Sequence, residues 1–230
     1  RKLLATSPIE AADYAETWLD SAKGFARAEP GQCLGLARAA QGQWDDAQAA
    51  FMAARELTPA SEPANRARLG GMAGNALLAA GKTEAALALL DQAHGEALGA
   101  GSPRLAGEIS IDRARALVAL KRDGDAAAAL ATARTNAAEN GQGWLLSATL
   151  SRRQGKLAEA QQQIQVAAQL LPLDPEVGLE AGVIAVLAGK DGAARRSWLS
   201  VVKAAPGSET ARTAQSYLDQ LGPDPAPSGR

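Results

Sequence analysis

The stretch QCLGLARAAQGQWDDAQAAFMAARELTP, from Gln32 to Pro59, carries the pattern on which most of the chain is built. After Gly42, the residues Trp44, Ala47, Phe51 and Ala54 follow at steps of three and four, and Pro59 closes the run. Steps of that size trace one face of a helix; small Ala alternates with a large apolar side chain, and the closing Pro cannot continue the helix. Ahead of Gly42, Leu34 and Gly35 lie on a first helix whose contact stripe is made of small residues, so two helix axes can come close. The stretch predicts two antiparallel helices joined by a tight glycine turn.

The same turn signal recurs at Gly81, around Lys121, at Gly155 and at Gly189, at intervals of 39, 40, 34 and 34 residues. Leu157, Ala160, Ile164, Ala167 and Pro172 repeat the spacing after Gly155; Asp191, Ala194, Trp198, Val201 and Pro206 repeat it after Gly189. Their first helices carry Ala73 and Gly74, Ala148, and Ala181 and Gly182. A lone hairpin of this kind cannot cover its own apolar faces and must stack on a neighbour. Two copies depart from the pattern. Around Gly81, Leu98 stands where the Pro should be; around Lys121, the turn glycine is expected at Gly124, and Ala126, Leu130 and Ala133 keep the spacing. The two longer intervals put their extra residues at 60–65 and 95–103, as longer loops or extended helix ends.

These residues resemble the tetratricopeptide repeat, whose signature has a Leu-Gly pair in the first helix, Gly at the turn, then an aromatic, Ala, a large apolar residue, Ala and a terminal Pro. The copy from Gln32 to Pro59 matches at each of these positions, and the copy from Gly141 adds Trp144 near the start of its first helix. The resemblance implies an all-α, right-handed superhelical solenoid of stacked antiparallel helix pairs. Five repeats are expected at about 28–62, 63–101, 102–139, 140–173 and 174–207. A helical region over 1–27, with Tyr14, Trp18 and Phe25, and a helix over 208–221 are expected to cap the two ends, followed by a disordered tail over 222–230.

Composition narrows the function. With 24 basic and 25 acidic residues in 230, the net charge of -1 argues against a binder driven by phosphate attraction. One cysteine, Cys33, and one histidine, His94, exclude an internal disulfide and a Cys-rich zinc site, so no metal or other cofactor is expected. No run of 18 apolar residues offers a membrane span. The start at Arg1 without Met reads as processed, which leans towards an exported, periplasmic protein, with the cytoplasm as the alternative.

Several tempting motifs have plainer explanations. Gly81-Lys82-Thr83 looks like the end of a phosphate loop, but Ala76 replaces the first glycine and a helix precedes it. His94 reads as a helix-end residue beside Gly95, and Cys33 as a buried structural thiol. Asp45 with Asp46, and Asp123 with Asp125, suit helix starts, where carboxylates meet the positive end of the dipole. Gly70 with Gly74 and Gly178 with Gly182 indicate close helix packing, and the tryptophans read as core knobs. No catalytic residue is expected.

If first helices line a concave side, facing residues recur about ten, six and three positions before each turn. The candidates for partner contact are Gln32 and Leu36; Asn75 and Leu78; Arg115 and Val118; Leu145, Thr149 and Arg152; and Leu179, Val183 and Val186. The polar members suit the backbone or carboxylates of a peptide, and the last three an apolar segment. Some tetratricopeptide proteins clamp a C-terminal carboxylate; only Asn75 and Arg68 approach that arrangement, and Gln32, Leu36, Glu108 and Asp112 stand where it needs other side chains. The expected function is a noncatalytic scaffold that binds a protein or peptide segment. The rivals are an RNA-reading helical repeat, disfavoured by the charge balance, and a solenoid enzyme.

Overall fold

A computed structural model of the protein describes residues 2–222, so most of the expected tail lies outside the described residues. Among the described residues the chain is helical, without strands. It divides into two compact units, one ending at Ala137 and the other starting at Ala138.

The first unit contains α1 (Lys2–Thr6), α2 (Pro8–Ser21), a 3-10 turn (Gly24–Arg27), α3 (Ala28–Ala40), α4 (Trp44–Leu57), α5 (Pro63–Ala79), α6 (Thr83–Gly99), α7 (Pro103–Ala119) and α8 (Asp123–Asn136). Helices α3 and α4, α5 and α6, and α7 and α8 form hairpins; α2 packs on α3, α4 on α5, and α6 on α7. The second unit contains α9 (Gly141–Arg153), α10 (Leu157–Leu170), α11 (Pro175–Leu187), α12 (Asp191–Ala204) and α13 (Glu209–Leu221). Its hairpins are α9 with α10 and α11 with α12; α10 packs on α11, and α13 on α12.

The helix starts follow local chemistry. Pro63, Pro103 and Pro175 open α5, α7 and α11, where the missing N–H costs nothing. Asp174 Oδ1 accepts from the N–H groups of Glu176 at 2.8 Å and Val177 at 3.2 Å, and Ser208 Oγ accepts from Ala211 N–H at 3.0 Å. The longer intervals are taken up by helix: α5, α6 and α7 each run 17 residues, and α6 passes through Leu98, where no Pro stops it.

Each hairpin turn closes in the same way. Gly42, Gly81, Gly155 and Gly189 have φ of 73°, 76°, 76° and 69°. The residue after each sends its N–H back to the carbonyl five residues earlier, as Lys82 does to Leu77 at 2.9 Å. In the third hairpin this conformation falls on Lys121, at φ 59°, and Gly124 lies inside α8. The expected shift to Gly124 is thus corrected: the end of α7 fixes where the left-handed residue falls, and Arg122 N–H still reaches Leu117 O at 2.8 Å. A side chain there costs about 1–2 kcal/mol, partly offset because glycine loses more freedom on folding. Lys121→Gly is therefore expected to raise stability by about 0.5–1 kcal/mol in urea unfolding; an unchanged midpoint would show that Lys121 is not strained.

The core repeats a single contact. Gly35 in α3 faces the Phe51 ring of α4, Gly74 in α5 faces Leu90 of α6, and Gly182 in α11 faces Trp198 of α12. In each case the large side chain comes sixteen residues after the glycine, and Ala148 and Ile164 occupy the same places in the α9–α10 hairpin and share a core cluster. The small residue on the first helix sets how deeply the knob of the second can enter.

Candidate functional site

In the first unit the first helices α3, α5 and α7 and the start of α4 surround an open cleft of about 290 Å³. Its floor is apolar. Leu36 and Ala39 come from α3, Trp44 and Phe51 from α4, Met72 and Ala76 from α5, and Leu105 and Ile109 from α7. Phe51 and Ile109 are buried core side chains, so the floor is a continuation of the core and not a set of loose surface groups. Polar groups rim it: Arg68 and Asn75 on α5, Glu108 and Asp112 on α7.

The rim groups differ in what already holds them. Arg115 Nη1 donates to Asp112 Oδ1 at 2.6 Å, and Arg104 Nε donates to Glu108 Oε1 at 3.2 Å, both within α7. Arg68 donates to the Asn65 side chain on its own helix and has no carboxylate partner among the described residues. The exposed amide of Asn75 has no hydrogen-bond partner among the described residues. A guanidinium without a carboxylate partner and an unengaged amide thus stand beside an apolar floor, able to bond a carboxylate and a peptide backbone.

Of the partner-contact candidates, Leu36, Arg68 and Asn75 line this cleft, together with Ala39 and Gly71 from the same register. Gln32 and Leu78 are half-buried outside its lining. On α7 the register differs. Arg115 is exposed and paired with Asp112, Val118 is half-buried, and Ile111 is buried; the lining falls instead at Leu105, Glu108, Ile109 and Asp112. Leu36 and Ala39 lie six and three residues before Gly42, Gly71 and Asn75 ten and six before Gly81, and Glu108 and Asp112 thirteen and nine before Lys121. The cleft therefore crosses successive first helices obliquely, and a register counted from the turns drifts off it by about one turn per helix.

In the second unit the candidates are engaged by the fold. Leu145 is buried in the cluster with Ile164, Val177 and Ile184, a correction to its expected place on an open face. Arg152 Nε donates to Glu180 Oε1 at 2.5 Å and its Nη2 to Oε2 at 3.2 Å, a two-pronged pair linking α9 to α11. Thr149 is half-buried between these groups in sequence. Leu179, Val183 and Val186 are half-buried against Trp198, Ala214 and Leu218, so α13 covers much of the apolar stretch expected to receive a segment.

Other expectations need adjustment. Trp198 is a core side chain as expected, but Trp44 is 36% exposed at the cleft. It is the first residue of α4, directly after the turn. His94 lies within α6 and not at its end, because Gly95 does not stop the helix. Burial lowers its pKa, Arg113 adds to the effect and Asp91 opposes it. Cys33 is half-buried, and burial, then Glu29, pushes its thiol pKa up, away from a reactive thiolate. Lys82, next to the apparent phosphate-loop glycine, is bound to Asp45 at 2.8 Å. Among the described residues no group of three His, Cys, Asp or Glu side chains could hold a metal ion, and no helix is long and apolar enough to cross a membrane.

No family model and no curated protein matches the chain. Solved structures do. YrrB, described as a TPR protein with an unusual peptide-binding site, matches with a TM-score of 0.55 at 19% identity, over 90% of this chain and 100% of its own. A thermophilic TPR protein of Thermus thermophilus matches with a TM-score of 0.64 at 18% identity, over 84% of this chain and 98% of its own. The chain has the tetratricopeptide-repeat fold. PilF of Pseudomonas aeruginosa is a further match, with a TM-score of 0.63 at 18% identity over 87% of this chain and 95% of its own. Within this tetratricopeptide fold the glycine-to-knob contacts supply the repeat, and the cleft of the first unit is where first helices leave apolar side chains uncovered.

Proposed function

We propose that this protein is a noncatalytic scaffold that binds a segment of another protein in the cleft between α3, α5 and α7. The reading rests on one observation: an apolar floor open to solvent lies beside Arg68, which has no carboxylate partner among the described residues, and the unengaged amide of Asn75. A segment laid there buries apolar side chains against Leu36, Trp44 and Met72 while its backbone bonds the Asn75 amide. The helices hold the surface ready, so little ordering of the receptor opposes binding. The peptide-binding site in the description of YrrB agrees with this use of the fold.

Panning a displayed peptide library against the protein and measuring the selected peptides by fluorescence anisotropy tests the reading. Trp44→Ala and Asn75→Ala are each expected to weaken binding about tenfold or more, with melting curves verifying that each variant stays folded. Leu173→Ala, at a site 83% exposed in the second unit, serves as the control and should leave affinity intact. Equal binding by all three variants and the wild type would place the site elsewhere.

A further inference from the structure

Side chains of both charge signs line the cleft, on different helices. Arg68 on α5 has no carboxylate partner among the described residues, whereas α7 contributes Glu108 and Asp112 to the lining. Each of those carboxylates is paired with an arginine of its own helix, Arg104 or Arg115, through one of its oxygens. Exposed pairs one turn apart on a helix are weak, and their free lone pairs accept a second cation readily. A segment lying across the apolar floor therefore meets a cation on one side and carboxylates on the other.

The distance between α5 and α7 sets the spacing. Helices α5 and α7 are in direct contact. Packed helices lie about 8–10 Å apart, and an extended chain advances about 3.3 Å per residue, so the crossing takes about three residues. We infer that the cleft selects an extended segment of another protein with an acidic and a basic residue about three positions apart and a bulky apolar residue between them. The acidic side chain meets Arg68, the apolar one lies against Met72 and Leu105, and the basic one meets Glu108 and Asp112. The inference rests on the cleft being the segment-binding site, and it adds which segments it takes.

The test uses the full chain and four synthetic peptides that share one apolar centre and differ in flanks: acid and base, acid and acid, base and base, and uncharged glutamines. The acid–base peptide is expected to bind at least tenfold more tightly than the other three, with the advantage shrinking as salt is raised. Arg68→Glu should move the preference to the base–base peptide, and Glu108→Lys towards the acid–acid one; both positions are exposed or half-exposed, and melting curves verify the fold. If the peptides bind alike and Trp44→Ala weakens them all, the charge pattern is refuted and the cleft stands as the site. If none binds, or Trp44→Ala changes nothing, the segment-binding reading fails and the charge pattern fails with it.

Discussion

Gly182→Ala is expected to destabilise the α11–α12 hairpin by about 3 kcal/mol. A Cβ at position 182 would lie 2.5 Å from both Cδ1 and Cε2 of Trp198, closer than carbon atoms can approach. The indole is only 4% exposed, and its Nε1 donates to Leu179 O at 3.1 Å, a bond that moving the ring would break. Against this stands the gain of about 1 kcal/mol that Ala brings to a helix interior. That gain can be seen alone at Gly95, inside α6, where a Cβ would meet nothing within 4 Å. Gly95→Ala should therefore stabilise, so one substitution has opposite signs at two helical glycines. Combining Gly182→Ala with Trp198→Leu should recover part of the loss, because the α9–α10 hairpin already places Ala148 and Ile164 at these positions. Melting of Gly182→Ala at the wild-type temperature would mean that Trp198 is not locked in the groove.

The second large effect is expected at a buried ion pair in the first unit. The Arg55 side chain is 8% exposed; its Nη2 donates to Glu96 Oε1 at 2.6 Å and its Nη1 to Glu56 Oε1 at 2.8 Å. The stem passes over Gly70, whose missing side chain leaves room for it: a Cβ there would be 3.6 Å from Arg55 Nε. Through this bridge α4 reaches α6 past Gly70, near the middle of α5. Glu96→Ala leaves the guanidinium with only the exposed Glu56, a loss of about 2–3 kcal/mol, the lower end for a buried pair because Glu96 is 29% exposed. Arg55→Ala should cost at least as much, since the packed stem is lost with the charge. Replacing both, as Arg55→Met with Glu96→Leu, should cost much less than the two losses added, because no buried charge is left unpaired. Strict additivity in a double-mutant cycle would show that the two residues do not act as a pair.

The hairpins were legible because a hairpin is a local object. The steps from Trp44 to Ala54 and from Leu157 to Ala167 describe one helix face, and Gly42, Gly81, Gly155 and Gly189 mark turns that only a few residues build. Lys121 escaped for a physical reason: hydrogen bonds from the end of α7 can hold a lysine in the left-handed region, and residue type alone pointed to Gly124. The site was legible in part. Leu36 and Asn75 came from counting back from the turns, whereas Arg68 came from the comparison with a carboxylate clamp, to which Glu108 and Asp112 were visible misfits. Trp44, Met72 and Leu105 were missed; Trp44 and Leu105 lie near the starts of α4 and α7, where exposure depends on what the neighbouring helices leave uncovered.

The sequence by itself determined that the chain is helical, that its helices pair, and that small residues line the first helix of each pair, because each of these depends on residues no more than about one hairpin apart. Only the tertiary structure decided which apolar side chains remain open to a partner. Leu36 and Val183 share a register and a character, yet Leu36 lines the cleft while Val183 packs against the cluster of Trp198, Ala214 and Leu218. The difference comes from a neighbour: α13 supplies the covering side chains in one case, whereas the first helices around Leu36 leave their apolar floor open to solvent.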